Sequence, residues 1–136
     1  MCLESQSSFL QTFTMDRKEM KKEVARVLSQ LPEEFSSRLH NVAIVIERSP
    51  KKGDLQAMGL DPKRDVLYGV YEGTPLSERS ALDPPLLPDR ITIFSEPLRR
   101  DFPDPAELKN QIRLTVLHEI AHYFGMDEEE IEKLGY

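Results

Sequence analysis

From Asp104 to Gly125 the chain spells one long helix with both ends marked, and this element constrains most of what can be built around it. Asp104 offers a capping carboxylate, Pro105 occupies the first helical position, where a missing N–H costs nothing, and Glu107 follows the cap by three residues. Leu108, Ile112, Leu114, Val116, Leu117, Ile120, Ala121 and Phe124 then cover most of the circumference beyond the first two turns. A helix apolar on so many sides needs neighbours, so its second half is expected to be buried. Gly125 suits the left-handed residue just past a helix end and lets the chain reverse before Asp127-Glu128-Glu129-Glu130 opens a last short helix to Leu134, with Asp127 reading as its cap.

The rest of the chain supplies what packs on that helix. Met20, Val24, Val27, Leu28 and Leu31 fall on one face of an amphipathic helix that Asp16-x-x-Glu19 can cap, and Pro32 ends it while suiting the first turn of a short helix from Glu33 to Leu39. Val42 to Ile46 is unbroken and mostly β-branched, which predicts a central strand buried on both faces. Residues 50–65 read as a loop with one helical turn near Leu55-Met58-Leu60. Val66 to Tyr71 and Arg90 to Phe94 predict two further strands, joined by a long connection stiffened by Pro84-Pro85-Leu86-Leu87-Pro88.

Length and charge limit the classes open to the chain. Its 136 residues suffice for one core. We expect a single domain over 15–136 and a disordered extension over 1–14. Lys and Arg number 18 against 24 Asp and Glu, a formal charge of −6, which argues against a surface that tracks nucleic-acid phosphates. No apolar run approaches the roughly 20 residues of a membrane span. The first residues lack a basic segment followed by an apolar one, and Cys2 alone makes no internal disulfide, so a reducing, cytoplasmic setting is expected.

Inside the buried half of the long helix stands His118-Glu119-Ile120-Ala121-His122, with two of the three histidines of the chain. Residues four apart differ by about 40° around a helix axis, so both imidazoles leave one face and can grip one zinc ion at about 2.0–2.1 Å. Glu119 lies about 100° round from His118, beside the ligands, where it can take a proton from water as a general base. Without a metal, a Glu on so apolar a helix would be an expensive buried charge. A catalytic zinc takes three protein ligands. His40 reads as a surface or strand-end residue. The pattern His118-Glu119-x-x-His122-x-x-Gly125-x-x-Glu128 resembles the metzincin layout and puts Glu128 in the third position, with Asp127 as its competitor.

Leu31-Pro32-Glu33-Glu34-Phe35, Asn41 to Glu47, Leu67 to Leu76, Leu87 to Ile93 and the His118 to Glu128 stretch together resemble the small bacterial minimal zincin-like metallopeptidase family, over about residues 16–136. The resemblance implies an α+β minimal zincin-like fold. In it a small mixed sheet of three to four strands packs on a long active-site helix, with amino-terminal and carboxy-terminal helices. It also implies Zn2+ held by the two motif histidines and an acidic residue, usually Asp in that family where this chain carries Glu128.

The expected activity is peptide-bond hydrolysis by zinc-activated water with Glu119 as base, acting on a peptide or protein, with neither nucleic acid nor membrane as partner. The substrate would pair with a strand edge supplied by Val66 to Tyr71 or by Arg90 to Phe94. At this length few residues remain for an upper subdomain, so the groove is expected to be shallow. Tyr123 and Tyr136 are candidate oxyanion donors whose plainer reading is packing or surface. The competing reading is a non-catalytic zinc-binding interaction module with a zincin fold, in which Glu119 would be dispensable.

Overall fold

Capping chemistry fixes where the helices begin. The computed structural model describes residues 15–39, 41–73 and 88–136. Helix α1 (Arg17–Ser29) starts at Asp16, whose side chain accepts the Glu19 N–H at 2.8 Å, and buries Met20, Val24 and Val27. Pro32 then precedes α2 (Glu33–Ser36). This helix stops three residues short of Leu39, since Arg38 and Leu39 donate to the Phe35 and Ser36 carbonyls three residues back, and the Arg38 carbonyl accepts the Tyr123 hydroxyl at 2.9 Å. The expected extension over 1–14, with Cys2, lies outside the described residues, as do His40 and most of the proline-rich connection.

Three strands form the described sheet: β1 (Val42–Glu47), β2 (Gly69–Glu72) and β3 (Asp89–Phe94), in the order β1-β3-β2. β3 runs parallel to β1, with Ile44 opposite Ile91 and Ile46 opposite Ile93, and antiparallel to β2, with Gly69 opposite Ile93 and Tyr71 opposite Ile91. The expectation of a central β1 is therefore corrected: β1 is an edge strand with only Ile46 fully buried, whereas Ile91, Thr92, Ile93 and Phe94 of β3 are all buried. Both sequences are apolar enough for the middle position, but β3 alone has a strand on each side. Arg90 to Phe94 is thus unavailable as a substrate-binding edge. Strand β2 begins three residues later than expected, at Gly69 instead of Val66.

Between β1 and β2 lies α3 (Lys52–Ala57), anchored by buried Leu55. Helix α4 (Ser95–Asp101) continues directly from β3 and has no counterpart in the sequence reading, which ended this segment at Phe94. Pro97 is tolerated there because the first turn has no intrahelical acceptors for its N–H groups.

Helix α5 (Pro105–Tyr123) is the 19-residue element foreseen from its ends, and Asp104 accepts the Glu107 N–H at 3.0 Å. Leu108, Ile112, Val116 and Ile120 recur every fourth residue and pack with Met20, Val24 and Val27 of α1, Ile46, Ile91 and Ile93 of the sheet and Leu98 of α4. Each such side chain contributes about 1.5–3 kcal/mol by leaving water. The result is an α+β arrangement consistent with a zincin-like fold. No helix among the described residues is long and apolar enough to cross a membrane.

Candidate metal centre

The last two turns of α5 and the turn beyond it assemble the site. Gly125 has φ +92°, where a Cβ would be strained, and its N–H donates to the His122 carbonyl at 2.9 Å. The Met126 N–H donates to the Ala121 carbonyl at 3.1 Å, so the pair closes a Schellman turn that sends the chain back along α5. Asp127 then caps α6 (Glu128–Lys133) in a reciprocal box with Glu130, and Ile131 buries itself to hold α6 in place. Glu128 is left at the first position of α6, facing the histidines.

His118 and His122 stand with ring centroids 4.9 Å apart. Glu128 reaches both: its carboxylate lies 3.2 Å from His118 Nε2 and 2.7 Å from His122 Nε2. The donor atoms of the three residues all lie within 4.8 Å of one another, a group able to hold a metal ion. Asp127, the competitor for the third position, instead has its carboxylate engaged in capping, accepting the Glu130 N–H at 2.8 Å. Burial pulls the Glu128 carboxyl upward, but hydrogen bonds with His118 and His122 and the attraction of their rings outweigh it, so its pKa lies below the ordinary carboxylate value.

Residues 39–136 match the family model described as a zincin-like metallopeptidase. The chain belongs to that family. No curated protein matches it.

Glu119 gives the zincin-like site its second carboxylate, in the opposite environment. It is buried, and that burial raises its pKa against the attraction of His118 and His122 and a hydrogen bond from the Tyr71 backbone. Strand β2 comes this close because residue 69 is glycine: a Cβ there would stand 2.8 Å from Thr115 Cγ2, 3.2 Å from the Thr92 carbonyl oxygen and 3.4 Å from Glu119 Cγ. Sequence reasoning passed over Gly69, although a lone glycine inside a strand pattern is a known signal of close backbone approach.

The site opens into a cleft of about 780 Å³ between β2 with its lead-in, α5 and the carboxy-terminal residues. Met58, Val66 and Tyr136, all exposed and large, line it together with Leu114 and Met126. Tyr123 is no oxyanion donor here, being buried with its hydroxyl given to the Arg38 carbonyl, whereas Tyr136 lies on the cleft wall. Tyr68, also on the wall, donates its hydroxyl to Asp101 Oδ2 at 2.6 Å and ties the cleft to the end of α4.

Proposed function

We propose that this zincin-like protein is a zinc-dependent peptidase in which His118, His122 and Glu128 hold the metal and Glu119 is the general base. The observation that carries the reading is the meeting of two Nε2 atoms at one carboxylate, next to a second carboxylate that is buried on the same helix. Two imidazoles and one carboxylate fit zinc by chemistry and number, since three protein donors leave a coordination position open. When bound, zinc supplies Lewis acidity to a water molecule and to the scissile carbonyl.

The protein's own groups do the rest. Burial gives Glu119 a raised proton affinity, which suits a carboxylate that must accept a proton from the attacking water and pass it to the leaving amine. The Tyr71 backbone holds that carboxylate in place. Gly69, Val70 and Tyr71 of β2 line the cleft, where an extended peptide can add main-chain hydrogen bonds along the strand. The apolar wall of Met58, Val66, Leu114 and Met126 suits apolar substrate side chains.

Two variants test the reading. Purified protein is expected to carry one zinc that His118→Ala loses, and Glu119→Gln is expected to keep the zinc and lose hydrolysis of an unfolded protein substrate. A Glu119→Gln protein with undiminished function would instead support the zinc-binding interaction module.

A further inference from the structure

Away from the histidines, Arg17, Arg48, Arg99 and Arg100 line one groove with Ser95 and Glu96, where the start of α1, the end of β1 and α4 meet. Four guanidinium groups share this groove with a single carboxylate, in a chain whose formal charge is −6. Glu96 pairs with Arg48 at 2.7 Å, and Arg100 pairs with Asp101 at 3.0 Å. Arg17 and Arg99 have no carboxylate partner among the described residues. Arg99 is nevertheless held in place, its Nη2 donating to Oγ of buried Ser95 at 2.9 Å. Arg17 sits in the first turn of α1, the end where the helix dipole disfavours a cation. Arg99 and Arg100 occupy the last turn of α4, where a cation is favoured, so the surplus lies in Arg17 and Arg99 together, two guanidinium groups in one groove that no carboxylate among the described residues balances.

A short chain of hydrogen bonds links the groove to the cleft. Tyr68 lines the cleft and donates to Asp101, and Asp101 accepts from Arg100, which lines the groove. We propose that this arginine groove docks an acidic segment of the protein substrate while a neighbouring, uncharged stretch occupies the cleft; this substrate role rests on the peptidase reading. Carboxylate side chains suit the fork geometry of arginine. The cleft itself suits uncharged side chains better, its wall carrying Met58, Val66, Leu114 and Met126. A polypeptide fits better than a nucleic acid, because no aromatic ring lines the groove for bases to stack on.

The test uses the full-length, zinc-loaded protein and a fluorescein-labelled hexaglutamate peptide followed by anisotropy, with Glu119→Gln present so that binding is read without turnover. Arg17→Gln/Arg99→Gln is expected to weaken binding at least about tenfold, the worth of one charge-assisted hydrogen bond. In the cleaving protein, adding an acidic extension to a neutral peptide should lower KM about tenfold at constant kcat, and the double variant should erase that difference. If circular dichroism shows the double variant unfolded, Arg17→Gln alone, at an exposed position, carries the same comparison with a smaller loss.

Equal binding by the original and variant groove, equal KM with and without the extension, or preference for a single-stranded oligonucleotide over hexaglutamate would each overturn the proposal. Hydrolysis without hexaglutamate binding defeats the groove alone. Groove-dependent hexaglutamate binding with no hydrolysis of any peptide defeats the peptidase reading and, with it, the substrate role.

Discussion

Two glutamates line the cleft from different elements, Glu119 on the inner wall made by α5 and β2 and Glu128 on the outer wall at the start of α6, and their surroundings have pushed them in opposite directions. Glu119 is buried between α5 and β2, and desolvation raises its proton affinity. Glu128 stands exposed at the start of α6, and its two histidine partners lower its proton affinity despite some burial. The same side chain is thereby suited to exchanging a proton on one wall and to holding a charge against a cation on the other.

Exchanging the chemistry of either wall tests that difference, and the inner wall should respond most. Glu119→Gln is expected to reduce hydrolysis by about 10²–10⁴-fold while metal content and the unfolding midpoint stay close to the original. On the outer wall, Glu128→Ala should weaken zinc binding by about a hundredfold or more in a chelator competition, exceeding the effect of an outer-shell change. Asp127→Ala should cost only about 1 kcal/mol of stability, as loss of a helix cap, and leave zinc in place.

Effects on stability also come from the supports of the inner wall. Gly69→Ala places a methyl group against Thr115 and Glu119, which should cost about 1–3 kcal/mol in denaturant unfolding and lower kcat more than it raises KM. An effect no larger than the loss of the Asp127 cap concerns Tyr68, whose phenol is pushed up to about 12 from 10.0 by burial, the hydrogen bond to Asp101 and the charge of that carboxylate. A raised folded-state pKa favours the protonated form, so this stabilisation is whole below pH 10.0 and fades as pH rises towards about 12. Tyr68→Phe should lose about 1 kcal/mol at neutral pH, remove one late phenolate from the ultraviolet titration and flatten the alkaline loss of stability.

What could be read from the sequence divides along the range of the interactions involved. Asp16, Asp104, Asp127 and Gly125 announced the helix ends because caps act within four residues. The same locality made the grouping of His118, His122 and Glu128 legible, since a helix and one turn separate them. Strand order was not legible: Val42 to Ile46 is apolar throughout whereas Arg90 to Phe94 carries Arg90 and Thr92, so apolar content points to the wrong middle strand and only the crossover decides. Helix α4 escaped notice because it follows β3 with no intervening turn residues and carries Pro97 near its start. The glycine of β2 signals a close approach without saying that α5 is what approaches, and the cleft wall built from Met58 and Val66 depends on packing between segments far apart in the chain, which no local pattern reports.

The placement of Glu128 on α6 has a consequence for how this molecule would age and be handled. A six-residue helix is too short to persist by itself, and α6 relies on Asp127, the Schellman turn and one apolar anchor, Ile131. If the ion completes that set, chelation would unlatch the tail as well as empty the site, and susceptibility of the final dozen or so residues to an added carboxypeptidase would become a gauge of metal occupancy.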